Sequence, residues 1–481
     1  MKPLYRPLSL GFSILTLGFS LCTLCGFYFF NENVQSWIPC IILSSLLMFV
    51  FAYKAKTQNA SIFRREILLT TGLLWVLTTL IGALPYFLIL NCDIPTSIFE
   101  SISGLTTTGA SALENIEAMP RSLLLWHSLT QWFGGLGFVI FFISILGSAD
   151  PNSKKLFMQE TTFSSDTISL FNLRKNISSA LVIYFLLTII CFCSLIYFKL
   201  PCFDAICHTL TTVSTGGFSI YNDGIPHINN VNIEIVLMIF MFLGGINFLF
   251  LTQIFTKSGP NLIHNYEFRF YFILIITATC LIFYVLPHGI SPALTLHNAL
   301  FQVIAFCTTT GFHNCDFTQW PSLTLTLLLI LAFIGGCSGS TAGGLKIFRL
   351  VAIFKILSAQ FEKIFHPTII RAVKIDGILW NDKKQIEVLH FFTLTIFILI
   401  LGALLLQMIT PQLDLATALS ASVACLSNIG PGITSSIGPC QSYAFFPTSA
   451  KLLLSLFMLL GRLELYAILV LLNKKFWRKF E

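Results

Sequence analysis

Charged residues are scarce in this chain: Asp, Glu, Lys and Arg together make up only 10% of its 481 residues. The apolar runs contain no paired-carboxylate motif and no His-x-x-x-His sequence, which hydrolytic and metal-dependent sites commonly use. The 14 cysteines form no metal-ligand cluster beyond Cys22 and Cys25, which lie inside an apolar run, and no disulfide framework. We therefore expect no enzyme and no cofactor within this chain.

Apolar residues, by contrast, are abundant in the chain. Hydrophobic residues make up 55% of the sequence and aromatic residues 14%, including 48 phenylalanines, and the mean hydropathy is +0.83. This composition is typical of an integral membrane protein. The first apolar run, from about Leu8 to Phe30, is too long for a signal-peptide core and lacks a small-residue cleavage site. It is predicted to be a retained membrane helix.

The net charge of +7 is distributed as in a membrane protein with its basic loops inside. Basic residues concentrate at the N-terminus, in alternate loops and at the C-terminus, and they include Lys54, Lys56, Arg64, Arg65, Lys154, Lys155, Arg174, Lys175, Lys474, Lys475, Arg478 and Lys479. The intervening loops carry mostly acidic residues, namely Asp93, Glu114, Glu117, Asp223, Glu234, Asp316 and Asp414. We therefore predict cytoplasmic termini, no nucleic-acid partner, and an acidic outer mouth that attracts cations.

One short motif occurs four times, each time at the end of an apolar segment too short to cross a bilayer. The copies are Thr107-Thr108-Gly109, Ser214-Thr215-Gly216, Thr309-Thr310-Gly311 and Asn428-Ile429-Gly430. A dehydrated cation needs oxygen ligands in place of water, and glycine lets successive backbone carbonyls turn toward one axis. A single copy would be ordinary turn chemistry. Four copies in a membrane protein instead indicate a K⁺-selective path, with these residues as its candidate filter.

The predicted fold is an all-α integral membrane protein with ten transmembrane helices and four re-entrant pore loops. Four pseudo-symmetric helix–pore loop–helix repeats surround one central pore, and two N-terminal helices precede them. The predicted domains are the helix pair at 1–58 and repeats at 66–150, 175–258, 268–360 and 385–478. The short apolar segments lie near 96–106, 204–213, 292–308 and 415–427, and as helices they cross about half a membrane.

The second membrane span of each repeat contains glycines, and their predicted role differs between repeats. Gly134-Gly135 and Gly244-Gly245 are interpreted as sites of close helix packing. The third span contains five glycines between Gly335 and Gly344, too many for an uninterrupted helix, and is predicted to form an irregular loop below the filter. Its candidate gate residues are Gly335, Gly336, Ser338, Gly339, Ser340, Thr341, Gly343 and Gly344, and a merely structural kink is the alternative.

Arg462, near the middle of the apolar run 452–472, is the remaining gate candidate. An isolated arginine at such a depth costs at least about 2.5–3.5 kcal/mol, so it must find acceptors. Glu464 points away from it on a helix and is not expected to be its partner. We predict that Arg462 donates to loop carbonyls or to Ser338 and Ser340 and holds the loop closed. A purely structural bond to helix-end carbonyls is the alternative.

Several motifs together resemble the Trk/Ktr/HKT superfamily of K⁺ transporters, and the two additional N-terminal helices make the chain most similar to its bacterial TrkH branch. The motifs are SISGLTTTGAS at 101–111, HSLTQWFGGLG at 127–137, TVSTGGFS at 212–219, TTTGF at 308–312, GGCSGSTAGGLK at 335–346 and GRLE at 461–464.

This resemblance implies a homodimer with separate pores in a bacterial inner membrane, and a cytoplasmic ring of TrkA-type regulatory subunits that carries the nucleotide. It also implies that Gly109, Gly216, Gly311 and Gly430 are filter glycines, that the 335–344 loop is a gate, and that Arg462 lies below the filter. The fourth motif departs from the Thr-Thr-Gly pattern, so we expect only moderate selectivity for K⁺ over Na⁺.

The leading hypothesis is gated K⁺ uptake driven by the membrane potential. A secondary symporter, coupling K⁺ to H⁺ or Na⁺ or carrying an organic solute, is the main alternative because broken helices also build such sites. An intramembrane enzyme is disfavoured because Ser338 and Ser340 have no evident base, and the ion-conducting subunit of a P-type K⁺ pump is a further alternative. The basic connection from Lys346 to Gln385 is expected to dock the regulatory ring, or else to attract anionic membrane lipid.

Overall fold

The computed structural model describes residues 5–55, 64–148, 170–254, 265–287, 291–366, 373–375 and 378–469. Over these residues the chain is almost entirely helical, as the sequence predicted. The two N-terminal helices, Tyr5–Phe30 and Ile38–Ala55, pack side by side, with the rings of Phe12 and Phe51 stacked at 5.6 Å. The first of them also packs against the first of the repeated units described next.

The rest of the described chain forms four units, each with a first helix, a short helix and a second helix. The first helices are Arg64–Gly82 continued by Leu84–Leu90, Leu170–Tyr197, Tyr266–Val285 and Asp382–Ile409. The short helices are Ile94–Leu105, Cys202–Val213, Pro292–Cys307 and Leu415–Leu426. The second helices are Arg121–Ser148, Val231–Gly244 with Phe248–Ile254, Ser322–Ile334 with Ile347–Phe365, and Thr448–Arg462 with Tyr466–Leu469. Single 3₁₀ turns lie at Gln35–Trp37, Ile225–Ile228, Phe317–Gln319 and Tyr443–Phe445.

The short helices coincide with the predicted short apolar segments, and their ends have local causes. Pro95 and Pro292 occupy the first turns of their helices, where a missing N–H costs no helical hydrogen bond. The Asp414 side chain caps the fourth short helix by accepting from the Thr417 N–H at 3.1 Å. A helix of 12 residues, the length of three of the four, is about 18 Å long, well short of a bilayer core of about 30 Å.

The four units close into a ring. The second helix of each unit packs against the short helix of the following unit, and the second helix of the fourth packs against the short helix of the first. Each short helix is consequently enclosed and mostly buried. The first helices lie outside and expose large apolar side chains such as Ile189, Phe272 and Phe397, as a lipid-facing surface requires.

Six helical stretches among the described residues are long and apolar enough to cross a membrane: Tyr5–Phe30, Gln35–Ala55, Leu69–Leu90, Ser178–Tyr197, Tyr266–Val285 and Asp382–Ile409. The second helices of the second, third and fourth units are interrupted. The sequence predicted an interruption only in the third unit. The basic groups at 154–155 and 474–479 lie outside the described residues.

A small hairpin follows the last helix of the third unit. Its strands, Lys374–Ile375 and Ile378–Leu379, pair antiparallel. Buried Val373, Ile375 and Trp380 pack on Phe348 and neighbouring residues of that helix. The hairpin therefore fixes part of the basic connection against the helix that leaves the 335–344 loop.

Candidate ion pathway

Each short helix ends in a loop that enters the left-handed backbone region twice. φ lies between 53° and 56° at the first of these positions, occupied by Thr107, Thr215, Thr309 and Asn428. Two residues later φ lies between 69° and 90°, at Gly109, Gly217, Gly311 and Gly430. Because handedness alternates along the loop, successive carbonyl groups turn to one side. We call these segments, 107–109, 215–217, 309–311 and 428–430, the glycine loops.

The second glycine loop begins one residue later than the sequence predicted. The spacing aligned Gly216 with Gly109, but the left-handed glycine of this loop is Gly217. The Gly216 N–H bonds a short-helix carbonyl at 2.8 Å, as the middle residue of the first loop does at 2.9 Å. Ser214 instead caps the short helix. The second glycine loop is therefore 215–217 and not the predicted triplet 214–216. The sequence alone could not distinguish the two registers, because Gly216 and Gly217 are adjacent and either fits the motif.

The glycine loops themselves form a closed ring. A Cβ atom on Gly109 would overlap the carbonyl oxygen of Gly216 in the next loop. The same relation joins every loop to its neighbour: Gly217 faces the Thr310 carbonyl, Gly311 faces that of Ile429, and Gly430 faces that of Thr108. Any side chain at these glycines would push the loops apart. The carbonyl groups of Thr108, Gly216, Thr310 and Ile429 are thereby gathered around one axis, an arrangement that suits a dehydrated cation.

Buried hydroxyl and amide groups hold the glycine loops from behind. The hydroxyls of Thr106 and Thr108 lie 2.7 Å apart, and those of Thr308 and Thr310 lie 2.7 Å apart in the third unit. Asn428 Nδ2 donates to Thr108 Oγ1 at 3.0 Å and so joins the fourth loop to the first. The asparagine that breaks the Thr-Thr-Gly pattern therefore makes a bond between units.

The predicted interruption in the third unit is confirmed, because its second helix stops at Ile334 and resumes only at Ile347. A break in the second unit, after Gly244, anchors the 335–344 loop. The Gly244 and Gly245 carbonyls accept from the N–H groups of Thr341 and Cys337 at 3.3 and 3.0 Å. The interpretation of this glycine pair as a packing site missed its role as a helix end that supplies acceptors.

The 335–344 loop covers one side of the ring. Thr341 Oγ1 lies 3.2 Å from Thr215 Oγ1, and the Gly343 N–H donates to Thr309 Oγ1 at 2.6 Å. A Cβ atom on Gly343 would overlap the Ser427 carbonyl oxygen, just before the fourth glycine loop. The loop thus contacts three of the four units at the level of the ring and leaves no space between itself and the glycine loops at these points.

Arg462 ends the first segment of the fourth unit's second helix and ties two other units together. Its Nη1 donates to the Thr341 carbonyl at 2.7 Å and its Nη2 to the Gly134 carbonyl at 3.0 Å. The first bond is to a carbonyl of the 335–344 loop, one of the two arrangements the sequence predicted. The loop serines have other partners, and Ser340 Oγ donates to the Cys337 carbonyl at 2.5 Å.

Glu464 is indeed not the partner of Arg462. Its carboxylate pairs with Arg349 Nη2 at 2.7 Å, and Arg349 also donates to the Leu345 carbonyl at 3.1 Å. The Arg349 guanidinium lies over the ring of Phe391 at 4.0 Å. This ion pair connects the helix that leaves the 335–344 loop with the turn that follows Arg462.

Sequence reasoning missed Glu267, which holds the same loop from the third unit's first helix. Glu267 Oε1 accepts from the Ser338 N–H at 2.5 Å and from Ser338 Oγ at 2.7 Å, and the side chain is only 4% exposed. The sequence predicted that the third repeat begins at residue 268, which placed this acid outside it. The Asn265 side chain instead caps the helix by accepting from the Phe268 N–H at 2.9 Å, which brings Glu267 inside.

The loops on the side of the ring opposite the 335–344 loop expose carboxylates, and they are among the loops predicted to form an acidic outer mouth. Glu117, Asp223 and Asp316 are exposed there. The Asp316 carboxylate accepts from Thr318 Oγ1 at 2.6 Å, and this hydrogen bond lowers the pKa of Asp316. It therefore remains ionised, and its negative charge favours cations at this side.

Apolar helices arranged around a ring of backbone carbonyls define a membrane protein of the cation-transporter class. A family model supports this assignment along nearly the whole chain. The model of TrkH, described as cation transport protein, matches residues 31–479, and the chain belongs to this family.

Individual proteins named TrkH are similar to this chain along most of its length. The Trk system potassium uptake protein TrkH of Salmonella typhimurium is 30% identical over 455 residues, covering 92% of each chain. The TrkH protein of Halomonas elongata is 32% identical over 426 residues, covering 86% of each. The crystal structure of the potassium transporter TrkH from Vibrio parahaemolyticus superimposes with a TM-score of 0.86 at 25% identity, covering 99% of both chains.

Proposed function

We propose that this chain is the ion-translocating subunit of a Trk-type system that takes up potassium across the bacterial inner membrane. The observation that carries the proposal is the closed ring in which the glycine of each loop lies against a carbonyl of the next. The names of the relatives, which are potassium uptake proteins of Trk systems, support K⁺ as the ion. This function includes no covalent chemistry and so no enzyme activity.

In this account K⁺ sheds its water at the ring and exchanges it for backbone carbonyls of the filter. The filter consists of Thr107, Thr108, Gly109, Thr215, Gly216, Gly217, Thr309, Thr310, Gly311, Asn428, Ile429 and Gly430. Uptake follows the membrane potential, which contributes about 2.3 kcal/mol per unit charge for each 100 mV. The acidic outer loops raise the local K⁺ concentration before entry.

The gate in this proposal is the 335–344 loop, and Arg462 stabilises its closed form. Three observations favour that role: the loop covers the ring, hydrogen bonds join it to the second and fourth units as well as to its own, and its glycines can rearrange at low cost. Opening requires the loop to leave the Thr341 and Gly343 contacts. Ions then pass from the filter toward the cytoplasm.

The same proposal includes the membrane topology of the chain. The four units are pseudo-symmetric pore repeats with re-entrant short helices, ten helices cross the membrane, and both termini are cytoplasmic.

The proposal also includes the partners of the chain. Two chains form a homodimer with separate pores in contact with membrane lipid. A cytoplasmic TrkA-type ring binds the nucleotide and controls the gate, so this chain needs no cofactor of its own.

Uptake of ⁸⁶Rb⁺ into liposomes containing the purified chain tests the function. We expect uptake to follow an imposed potential, to be inhibited by K⁺ more than by Na⁺, and to need no ATP. The proton and Na⁺ gradients are varied separately, because uptake that requires either gradient would favour the symporter. Absence of Rb⁺ uptake in the presence of the regulatory ring would contradict the proposed function.

Replacing Glu267 with alanine should raise basal Rb⁺ flux at least about tenfold, because a hydrogen bond to a charged group contributes about 1.5–3 kcal/mol, about 1.4 kcal/mol corresponds to a factor of ten, and two such bonds to Ser338 are lost. Glu267→Gln keeps an oxygen acceptor and should change the flux less. The control is Glu387→Ala, which removes an exposed acid near the start of the fourth unit's first helix. Equal flux in Glu267→Ala and the control would remove Glu267 from the gate.

Charge reversal on the basic connection should weaken binding of the regulatory ring. Lys374 and Lys383 are exposed and Lys384 is partly exposed, so their substitution by Glu leaves the buried hairpin contacts in place. We expect the triple variant to insert normally but to co-purify several-fold less TrkA-type subunit, because rim charges contribute to recognition. Lys54→Glu, on the N-terminal helix pair, is the control. Full retention of the ring with reduced binding to anionic liposomes would support the lipid alternative.

A further inference from the structure

Behind the glycine loops, one position on each short helix recurs nine residues before the left-handed glycine. It is occupied by Glu100, His208, Gln302 and Ala421 in the four units. The three polar side chains are at most 1% exposed. Burying such groups is unfavourable unless they make hydrogen bonds, so their partners show what they do there.

All three polar side chains reach forward to the segment that leaves their own glycine loop. Glu100 Oε1 accepts from the Ala112 N–H at 2.6 Å and from Ser111 Oγ at 2.9 Å. These partners stand two and three residues after Gly109. One carboxylate oxygen therefore ties the exit of the first glycine loop to the helix behind it.

The second and third units repeat the contact with different chemistry. His208 Nδ1 lies 2.9 Å from the Asp204 carbonyl, which can only accept, so Nδ1 carries the proton and Nε2 accepts from Ser219 Oγ at 3.3 Å. Gln302 Nε2 donates to Asn314 Oδ1 at 3.1 Å. Ser219 and Asn314 again stand two and three residues after the left-handed glycine of their loops.

The fourth unit has alanine at the recurring position and uses the adjacent residue. Ser420 Oγ accepts from the Ile433 N–H at 2.8 Å, three residues after Gly430. The same tie between helix and loop exit is thus present in all four units, and only in the first does a carboxylate make it. Glu100 accepts two hydrogen bonds from the segment that leaves its loop, whereas His208, Gln302 and Ser420 each make one such bond.

We propose that these side chains brace the filter from behind, and that Glu100 is the positioning residue on which discrimination between K⁺ and Na⁺ depends most. The inference rests on the proposed function of the ring. A cage of carbonyls distinguishes two cations only while its dipoles keep their number and spacing. A loop whose exit is released can contract around the smaller Na⁺, so the brace acts on selectivity without touching the ion.

The test compares Glu100→Ala, Glu100→Gln and Glu114→Gln in liposomes, measuring inhibition of ⁸⁶Rb⁺ uptake by K⁺ and by Na⁺. Both donors to Glu100 reach the same oxygen, so the amide oxygen of glutamine can accept from both, whereas alanine accepts from neither. Glu114 is an exposed acid of the following loop and controls for loss of charge, because the outer acids attract K⁺ and Na⁺ alike and should not change the ratio between them. The ratio of the two inhibition constants does not depend on how much protein is folded, which separates a positioning role from a stability effect.

We expect Glu100→Ala to lower the K⁺-over-Na⁺ ratio about tenfold, and Glu100→Gln and Glu114→Gln to stay within about twofold of the unsubstituted chain. An unchanged ratio in Glu100→Ala, or an equal loss in Glu100→Gln, would overturn the brace; the latter would assign the effect to charge. If Glu100→Ala does not fold, Gln302→Ala removes the equivalent tie in the third unit and must lower the ratio in the same direction. Failure of the unsubstituted chain to select K⁺ would instead contradict the proposed function.

Discussion

Replacing Arg462 with alanine should raise basal Rb⁺ flux about tenfold or more and make it less dependent on the regulatory subunit. Arg462 donates to the Thr341 carbonyl of the gate loop and to the Gly134 carbonyl of the first unit. A hydrogen bond to a charged group contributes about 1.5–3 kcal/mol, and 1.4 kcal/mol corresponds to a factor of ten in a conformational equilibrium. Losing the bond to the loop should therefore shift the closed form toward the open one.

Shortening the loop should have the same effect by a different route. A deletion within 337–341 that includes Thr341 removes the residue that contacts both Arg462 and the second glycine loop. Arg462→Lys keeps the charge but cannot span two carbonyls in a fixed fork, so we expect an intermediate flux. Arg269→Ala, which removes an exposed arginine, is the control.

Flux is measured per purified protein, with and without the regulatory ring. If Arg462→Ala and the shortened loop both retain basal flux at the level of the unsubstituted chain, the loop is not the barrier and the gate lies elsewhere. An Arg462→Ala chain that loses flux entirely would favour the structural alternative, in which Arg462 only satisfies helix-end carbonyls.

Substitution of Gly217 by alanine should damage selectivity far more than substitution of its neighbour Gly216. Gly217 has a φ of +69° and its Cβ would overlap the backbone carbonyl of Thr310. The left-handed conformation alone costs an L-residue about 1–2 kcal/mol, and the backbone overlap adds to it. A Cβ on Gly216 has the side chain of Gln131, and no backbone atom, as its nearest neighbour, and that side chain, which donates to the Gly216 carbonyl at 3.1 Å, would have to shift.

We expect Gly217→Ala, like Gly109→Ser and Gly311→Ser, to lower discrimination between K⁺ and Na⁺ at least about tenfold, and Gly216→Ala to lower it only a few-fold. The measurement is Na⁺ inhibition of Rb⁺ uptake, supported by growth of a K⁺-uptake-deficient strain at limiting K⁺ with and without excess Na⁺. The opposite order of the two alanine variants would restore the register predicted from the sequence. Unchanged Na⁺ sensitivity in all of them would remove the glycine loops from selectivity.

The elements predictable from the sequence were those whose cause is local. Four short apolar segments ending in glycine, and five glycines inside one apolar span, each dictate backbone behaviour over a dozen residues, and the structure has helix ends at these places. The register of the second loop was ambiguous because Gly216 and Gly217 both fit the motif. The short apolar segments and the glycine-rich span could be predicted because the residues that determine their backbone lie within the segments themselves.

The contacts between segments far apart in the sequence were not predictable in the same way. Glu267 and Ser338 are separated by 71 residues, and Arg462 and Gly134 by 328. A single sequence shows that a buried arginine or glutamate needs partners but not which segment supplies them. The breaks after Gly244 and Arg462 also depend on partners from other units. N–H groups of the 335–344 loop donate to the first break, and carbonyls of Thr341 and Gly134 accept from Arg462 at the second. Neither segment contains the glycine density that marked the third.

Anomalous diffraction from crystals grown with Rb⁺ would show directly whether the glycine loops bind the ion. We expect an Rb⁺ peak on the axis of the ring formed by the carbonyls of Thr108, Gly216, Thr310 and Ile429, and loss of that peak when K⁺ is added in excess but not when Na⁺ is added at the same concentration. A ring that holds no Rb⁺ while the ion occupies other sites, or one that Na⁺ empties as readily as K⁺, would contradict the proposed filter.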